Sequence, residues 1–246
     1  ALAKVGSAAQ LWEFTAGLLT SKAVVTALTT TNWIALLVTL CVLVISYPLA
    51  YYMAHHGGWR FTAVLFCIVV PYFTSIIVRT YAWMVLLGRK GLINQSLMAL
   101  GVIDEPLAML YSKGAVLVGM VYVLMPYMVL TLFAAMKAID PSYMRAARGM
   151  GAGPIYAFWK VYFPLSLHGV VSGGLIVYIL AIGFFITPAL MGGPADVMIA
   201  MLIERAVEIT FDWSGAAVMS LVLLVVTLVL YGIYYRITDI DRMMKA

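Results

Sequence analysis

Charge is scarce in this sequence. Of 246 residues, fifteen are Lys or Arg and ten are Asp or Glu, 10% of the chain, where ordinary globular proteins carry about 25%. So few ionised groups cannot cover a 26.9 kDa globule without leaving apolar patches larger than soluble monomers tolerate. A water-soluble fold is excluded on that ground, and lipid is the implied solvent. Cysteine is nearly absent: Cys41 and Cys67 both lie inside apolar runs, which argues against a disulfide framework or a thiolate metal site. His55, His56 and His168 stand at the borders of such runs, without the spacing of metal ligands. No glycine-rich segment is followed by the Lys and Ser/Thr pair of a nucleotide-phosphate loop. No nucleophile and base constellation suggests catalysis either, so the chain reads as a non-enzyme. The net charge is +5, yet the basic residues are scattered singly rather than gathered into a stripe, which argues against nucleic acid as a partner.

What is present is apolar sequence, 65% of the chain. Uncharged stretches at 23–54, 61–78, 114–136, 169–195 and 213–235 each hold the roughly 20 residues a helix needs to cross a ~30 Å hydrocarbon core. The pattern predicts an all-α integral membrane protein, one transmembrane domain over residues 1–246. Its five spanning helices are expected near 33–54, 62–87, 114–137, 169–190 and 216–236. The runs are continuous rather than alternating, which excludes a β-barrel.

Orientation follows from the basic residues. Arg60, Lys137, Arg145, Arg148, Lys160, Arg236, Arg242 and Lys245 fall in the shorter connecting segments on one side. Lys4, Lys22, Arg89, Lys90, Lys113 and Arg205 on the other side stand among more acids: Glu13, Asp104, Glu105, Asp196, Glu204, Glu208 and Asp212. The positive-inside bias then places 137–168 and the C-terminus in the cytoplasm. An odd number of spans leaves the amino terminus outside. With Ala1 as the first residue, the expectation is a further N-terminal span in the gene product, six in all.

Segment 137–168 is the most structured of the inward stretches. Asp140-Pro141 is a helix start, a capping carboxylate followed by proline at the first helical position. A short helix should run to about Arg148. Gly149, Gly151 and Gly153-Pro154 break it, a second short helix carries Tyr156, Phe158, Trp159 and Tyr162, and Pro164 marks entry to the next span. Two readings fit these features: a docking plug whose small residues Ala146, Ala147 and Gly151 admit a foreign surface, and an interfacial helix that lies on the membrane.

The run Arg145-Ala146-Ala147, three residues, Gly151, nine residues, Val161-Tyr162-Phe163-Pro164 resembles the E-A-A-x3-G-x9-I-x-L-P signature of binding-protein-dependent ABC importer permeases. Every spacing fits. The resemblance implies that Ala146, Ala147, Gly151, Val161, Phe163 and Pro164 belong to a coupling helix seated in a cytoplasmic ATPase. Arg145 departs from the family pattern, since a Glu is usual there, and it reverses the charge of the expected contact. Pro71, Ser75, Arg79, Tyr81, Lys90-Gly91-Leu92-Ile93-Asn94, Pro126-Tyr127-Met128 and Leu190-Met191-Gly192-Gly193 are similar to the first permease of spermidine/putrescine-type importers. This implies a type I ABC importer transmembrane domain in a bacterial inner membrane. The expected partners are a second permease subunit, two ATPase subunits and a periplasmic binding protein, besides membrane lipid. No cofactor is expected on this chain; ATP and Mg belong to the partner ATPase.

Pathway candidates are weaker signals. Tyr72, Phe73, Tyr81, Trp83 and Tyr127 offer aromatic faces that attract ammonium groups by about 0.5–2 kcal/mol each. Aromatics are equally at home at membrane interfaces. Arg79, the one charge near a span interior, has two readings: snorkelling to the headgroups and a place at the gate or lumen. Glu204 and Glu208, four apart in an amphipathic stretch, form either a cation-gathering mouth with Asp196 and Asp212 or a solvated face partly neutralised by Arg205. A secondary transporter would call for intramembrane acids or an inverted repeat, and the sequence has neither. Cargo is expected to be polyamine or a related small organic cation. No Asp or Glu lies within a core span, so opine-like and amino-acid-derived solutes fit the same importer class.

Overall fold

The computed structural model describes residues 16, 17 and 20–243, with side chains described as far as Gly232. The charges of Lys4, Glu13, Arg236, Asp239, Asp241, Arg242 and Lys245 lie outside the described side chains. Among the described residues every regular element is helical. The first is α1, Lys22–His55, followed by α2, Trp59–Val69, which tightens into a 3-10 turn at Val70–Phe73. Then come α3, Ile76–Leu87, α4, Leu92–Ala99, and α5, Lys113–Lys137. Pro141–Gly149 is α6 and Pro154–Ala157 is α7, which passes through a π turn at Phe158–Tyr162 into α8, Phe163–Ile182. The last three are α9, Ile186–Met191, α10, Ile199–Glu208, and α11, Trp213–Met243.

Four of these helices are long and apolar enough to cross a membrane, and a fifth span exists if α2 and α3–α4 count as one. That pair is bent by 103°. The span expected across 62–87 is therefore two helices, parted at Thr74 and Ser75. Pro71 ends the α-helical geometry of α2 shortly before that break, since it has no N–H for the helical ladder and its ring opposes the preceding turn. Pro48 and Pro126 remain inside continuous helices. A mid-span proline thus breaks this chain at one site and is absorbed at two others.

The segment leading into the fourth span also differs from expectation. No separate helix ends before Pro164; the chain is helical from Pro154 to Ile182. The wider π turn explains the continuity. Phe163 N–H bonds back to Phe158 O, five residues earlier, and Pro164 follows where the ladder has already loosened. This helix stops at Ile182, short of 190, and α9 carries the rest after the Gly183–Phe185 break.

The residues form two compact units. One holds the described residues through Val38, with Thr74–Met120 and Ile179–Tyr231. Its core joins Val24 and Ala27 of α1 with Ile199 and Ala206 of α10 and Ala216 and Met219 of α11. A second cluster sets Leu87, Ala115 and Met191 together, with Trp83 packed against them. Buried Thr31 ties α10 to α1: its hydroxyl donates to Ala27 O at 2.7 Å and accepts from Ile199 N–H at 2.8 Å, satisfying a helix-start donor that has no partner within its own helix. Gly119 lets α5 and α9 approach closely, since a Cβ there would stand 2.5 Å from Thr187 Cγ2.

The other unit holds Thr39–Phe73, Val121–Tyr178 and the described residues from Gly232. In it Met128, Val129, Leu132 and Val177 are fully buried. Small residues again set the helix spacing: a Cβ on Gly173 would meet Met128 Sδ at 2.7 Å, and one on Gly169 would meet Ala135 Cβ at 2.5 Å.

Candidate functional site

The short helix α6 is built from strong local signals. Asp140 Oδ1 accepts from Ser142 N–H at 2.7 Å, and Pro141 occupies the first turn. That backbone hydrogen bond, with help from the Ser142 hydroxyl and the nearby Arg145 charge, holds the Asp140 carboxyl below the usual carboxylate range. The helix ends in a Schellman motif: Ala152 N–H bonds Ala147 O at 3.1 Å and Gly151 N–H bonds Arg148 O at 3.0 Å. Gly151 has φ +87°, the left-handed conformation that disfavours any residue with a Cβ.

The resulting turn presents Arg145, Ala146, Arg148, Met150 and Gly151 as exposed positions, while Ala147 is buried. Apolar residues beyond the turn, Ile155, Tyr156 and Trp159, are also exposed. Val161 and Phe163 are half-buried and Pro164 is exposed. Beneath the turn lies an aromatic floor. Tyr51 meets Phe158 and Tyr162 edge-on, with ring centroids 5.6 and 5.1 Å apart. Tyr47 packs on Phe163 at 5.9 Å, and Tyr47 Oη lies 2.8 Å from Ser166 Oγ. Lys137 Nζ reaches Ala54 O at 3.4 Å and so meets a C-terminal carbonyl of α1. A cavity of about 470 Å³ opens between the ends of α1 and α5 and the inner side of α6.

The pathway candidates fall into separate groups. Tyr72 and Tyr127 come together, rings edge-to-face at 5.5 Å, and Phe73 beside them is 86% exposed. Arg79, Tyr81 and Trp83 all lie on α3, in the other unit. Arg79 is half-buried and Tyr81 exposed, while Trp83, also half-buried, packs against Leu87, Ala115 and Met191. Glu204 is half-buried and Glu208 exposed on α10.

Asp196, expected beside these acids at the mouth, is 3% exposed. Its Oδ2 accepts from Gly193 N–H at 3.0 Å, so it closes the 193–196 turn instead of presenting charge. Asp212 Oδ1 likewise accepts from Gly215 N–H at 3.0 Å and caps α11. The turn at Gly192-Gly193 is more than a chain reversal, because a Cβ on Gly193 would stand 2.7 Å from Tyr111 O.

Sequence reasoning missed the cavity under α6. Tyr51 and His55 of α1, Lys137 of α5 and Tyr162 of the π turn come from three distant parts of the chain and meet there only through packing. Among the described residues no three His, Cys, Asp or Glu side chains converge as metal ligands.

Comparison with known proteins supplies a family context. Residues 46–239 match the family described as binding-protein-dependent transport system inner membrane component. The chain is 34% identical over 202 residues to the spermidine/putrescine transport system permease protein PotB of Escherichia coli K12, covering 82% of this chain and 74% of that protein. The PotB protein of Haemophilus influenzae is 34% identical over 199 residues, 80% of this chain and 69% of that one. In fold the chain is similar to a bacterial alginate ABC transporter solved in complex with an alginate pentasaccharide-bound periplasmic protein. The TM-score is 0.70 at 18% identity, over 89% of this chain and 79% of that chain.

Proposed function

The chain belongs to the family of binding-protein-dependent transport system inner membrane components, and from that premise we propose that its cargo is a polyamine or a closely related small organic cation. It is a multi-span permease subunit of an ABC importer and not itself an ATPase. The observation that carries the cargo assignment is the 34% identity with a spermidine/putrescine permease over 82% of this chain.

In this reading the chain lies in a bacterial inner membrane with its C-terminus in the cytoplasm. It pairs with a second permease to enclose the pathway, receives cargo from a periplasmic binding protein, and rests on two ATPase subunits that hold ATP and Mg. Segment 137–168 is the coupling element. Arg145, Ala146, Ala147, Gly151, Val161, Phe163 and Pro164 form or brace the surface seated in the ATPase. The exposure of Ala146 and Gly151 and the rigid Schellman end of α6 support this. ATP-driven closure would move α6, and the spans would follow between two states that both ligands bias. Arg145 shares its electrostatic field with Asp140 of its own chain, which offers an internal counterpart where the family's Glu would look outward.

For the pathway, the edge-to-face pair Tyr72–Tyr127 with Phe73 is the best-supported cation-attracting group. Tyr81 is a weaker candidate, as are Arg79, Trp83, Glu204 and Glu208. Uptake of labelled spermidine and putrescine by proteoliposomes holding the reconstituted importer and its binding protein tests the cargo. Saturable, ATP-dependent uptake displaced by either polyamine is the expected result. Displacement only by opines or amino acids would replace the cargo and leave the importer class intact.

A further inference from the structure

The cavity beneath α6 lies wholly within one unit, and of its lining residues the transport reading uses only Arg145 and its neighbour Asp140. Its wall carries Lys137, Arg145 and Arg148, three permanent cations, against a single carboxylate, Asp140. That carboxylate is already engaged with Ser142 N–H. Tyr162 also lines the cavity. It is 2% exposed, and its hydroxyl has no hydrogen-bond partner. That oxygen is itself sealed from solvent, so Tyr162 shapes the wall through its ring, and the charged side chains are what an anion in the cavity would meet.

Depth identifies what can fill it. The spans α1 and α5 end at His55 and Lys137, and both residues line the cavity. The ends of spanning helices mark the headgroup region, where phosphate esters are abundant. Basic pockets between helix ends at that level suit phospholipid headgroups. A second, open groove of about 420 Å³ is lined by Tyr47, Pro48, Ile155, Phe158 and Trp159. Tyr51 lines both it and the cavity. An apolar groove next to a cationic cavity suits a molecule with an acyl chain and an anionic head, which free phosphate lacks.

We propose that the cavity bounded by Lys137, Arg145, Arg148 and Tyr162 binds the phosphate group of an anionic phospholipid, with the lipid's chain along the Pro48–Trp159 groove. The two arginines supply charge-assisted hydrogen bonds to the phosphate oxygens. A headgroup held there joins the ends of α1 and α5 to α6, and so ties the coupling segment to the lipid around it. This inference is independent of the cargo.

The test is native mass spectrometry of the assembled importer titrated with phosphatidylglycerol or with phosphatidylcholine of the same chains. Retained phosphatidylglycerol adducts, with few from phosphatidylcholine, are expected. The paired R145A/R148A change should weaken that retention roughly tenfold or more, the scale of a lost charge-assisted hydrogen bond. Tyr162→Phe, which removes an oxygen sealed from the cavity and leaves the packing intact, should leave retention unchanged and is the control. Equal adducts from both lipids, or a preference that survives the arginine change, overturns the proposal. Displacement of the lipid by inorganic phosphate would keep the phosphate site and overturn the lipid as its source. If the arginine pair instead releases the ATPase while lipid retention is unchanged, the occupant is an acidic group of that partner and the lipid site is refuted.

Discussion

Tyr47 of α1 and Ser166 of α8 share a hydrogen bond of 2.8 Å across 119 residues of sequence. Ser166 is fully buried and donates its own proton to Phe163 O at 2.8 Å, so Tyr47 is the donor in the pair. The bond holds α1 against the helix just beyond the π turn, where α8 leaves the aromatic floor of α6. Ser166→Ala leaves the Tyr47 hydroxyl without its acceptor and should cost about 1–3 kcal/mol, whereas Tyr47→Phe should cost about 1 kcal/mol. Thermal unfolding of the purified subunit in detergent, run as a double-mutant cycle, measures both. Additive losses would mean that the two groups are not coupled.

Gly151 gives a prediction in which backbone and interface separate. A Cβ at this position meets nothing within 4 Å, so space is not the constraint. The constraint is the φ of +87°, and an Ala there should cost about 1–2 kcal/mol. Asn and Asp tolerate the left-handed region better than Ala. Gly151→Asn should therefore keep most coupling, Gly151→Ala less, and Gly151→Asp should insert normally yet uncouple ATP hydrolysis from uptake by placing charge on the docking turn. The readout is binding-protein-stimulated ATPase activity set against transport in the same vesicles. Wild-type coupling in Gly151→Asp would remove this turn from the docking surface.

The Asp140 cap predicts a pH dependence with a definite sign. Its carboxyl is held below its ordinary value by the Ser142 N–H, by the Ser142 hydroxyl and by Arg145, so the unfolded chain binds this proton more readily than the folded one. The stabilisation is complete above the unfolded value of about 3.9 and is lost as pH falls through the lower folded value. The melting-temperature advantage of wild type over Asp140→Ala should hold at neutral pH and shrink below about pH 4. Asp140→Asn keeps a cap that does not titrate, so its advantage over Ala should stay level. An equal pH response in Asn and wild type would mean that another group is titrating.

Gly193 tests the outer turn. Its Cβ would stand 2.7 Å from Tyr111 O, a backbone atom that cannot rotate away, in a residue already at φ 58°. Gly193→Ala should lose about 1–3 kcal/mol through overpacking. Gly183→Ala, where the added methyl meets nothing within 4 Å, is the control. Equal melting temperatures for the two variants would show that this loop yields freely.

The sequence by itself determined the solvent, the helical class and the local build of α6. Scarce charge in long apolar runs leaves a chain little choice but helices in lipid, and Asp140-Pro141 and Gly151 mark the two ends of α6 through local backbone chemistry alone. Spacing from Arg145 to Pro164 carried the family for the same reason: its parts lie within twenty residues of one another. Tertiary structure decided the rest. Hydropathy runs unbroken through Thr74 and Ser75, so the 103° bend left no trace in polarity. Pro71 alone was ambiguous, because Pro126 sits in a helix that stays whole. Asp196 read as surface charge until its buried contact with Gly193 was seen. The cavity under α6 unites residues from Tyr51 to Tyr162. Which groups meet at such distances is set by helix packing, and composition and spacing carry no record of it.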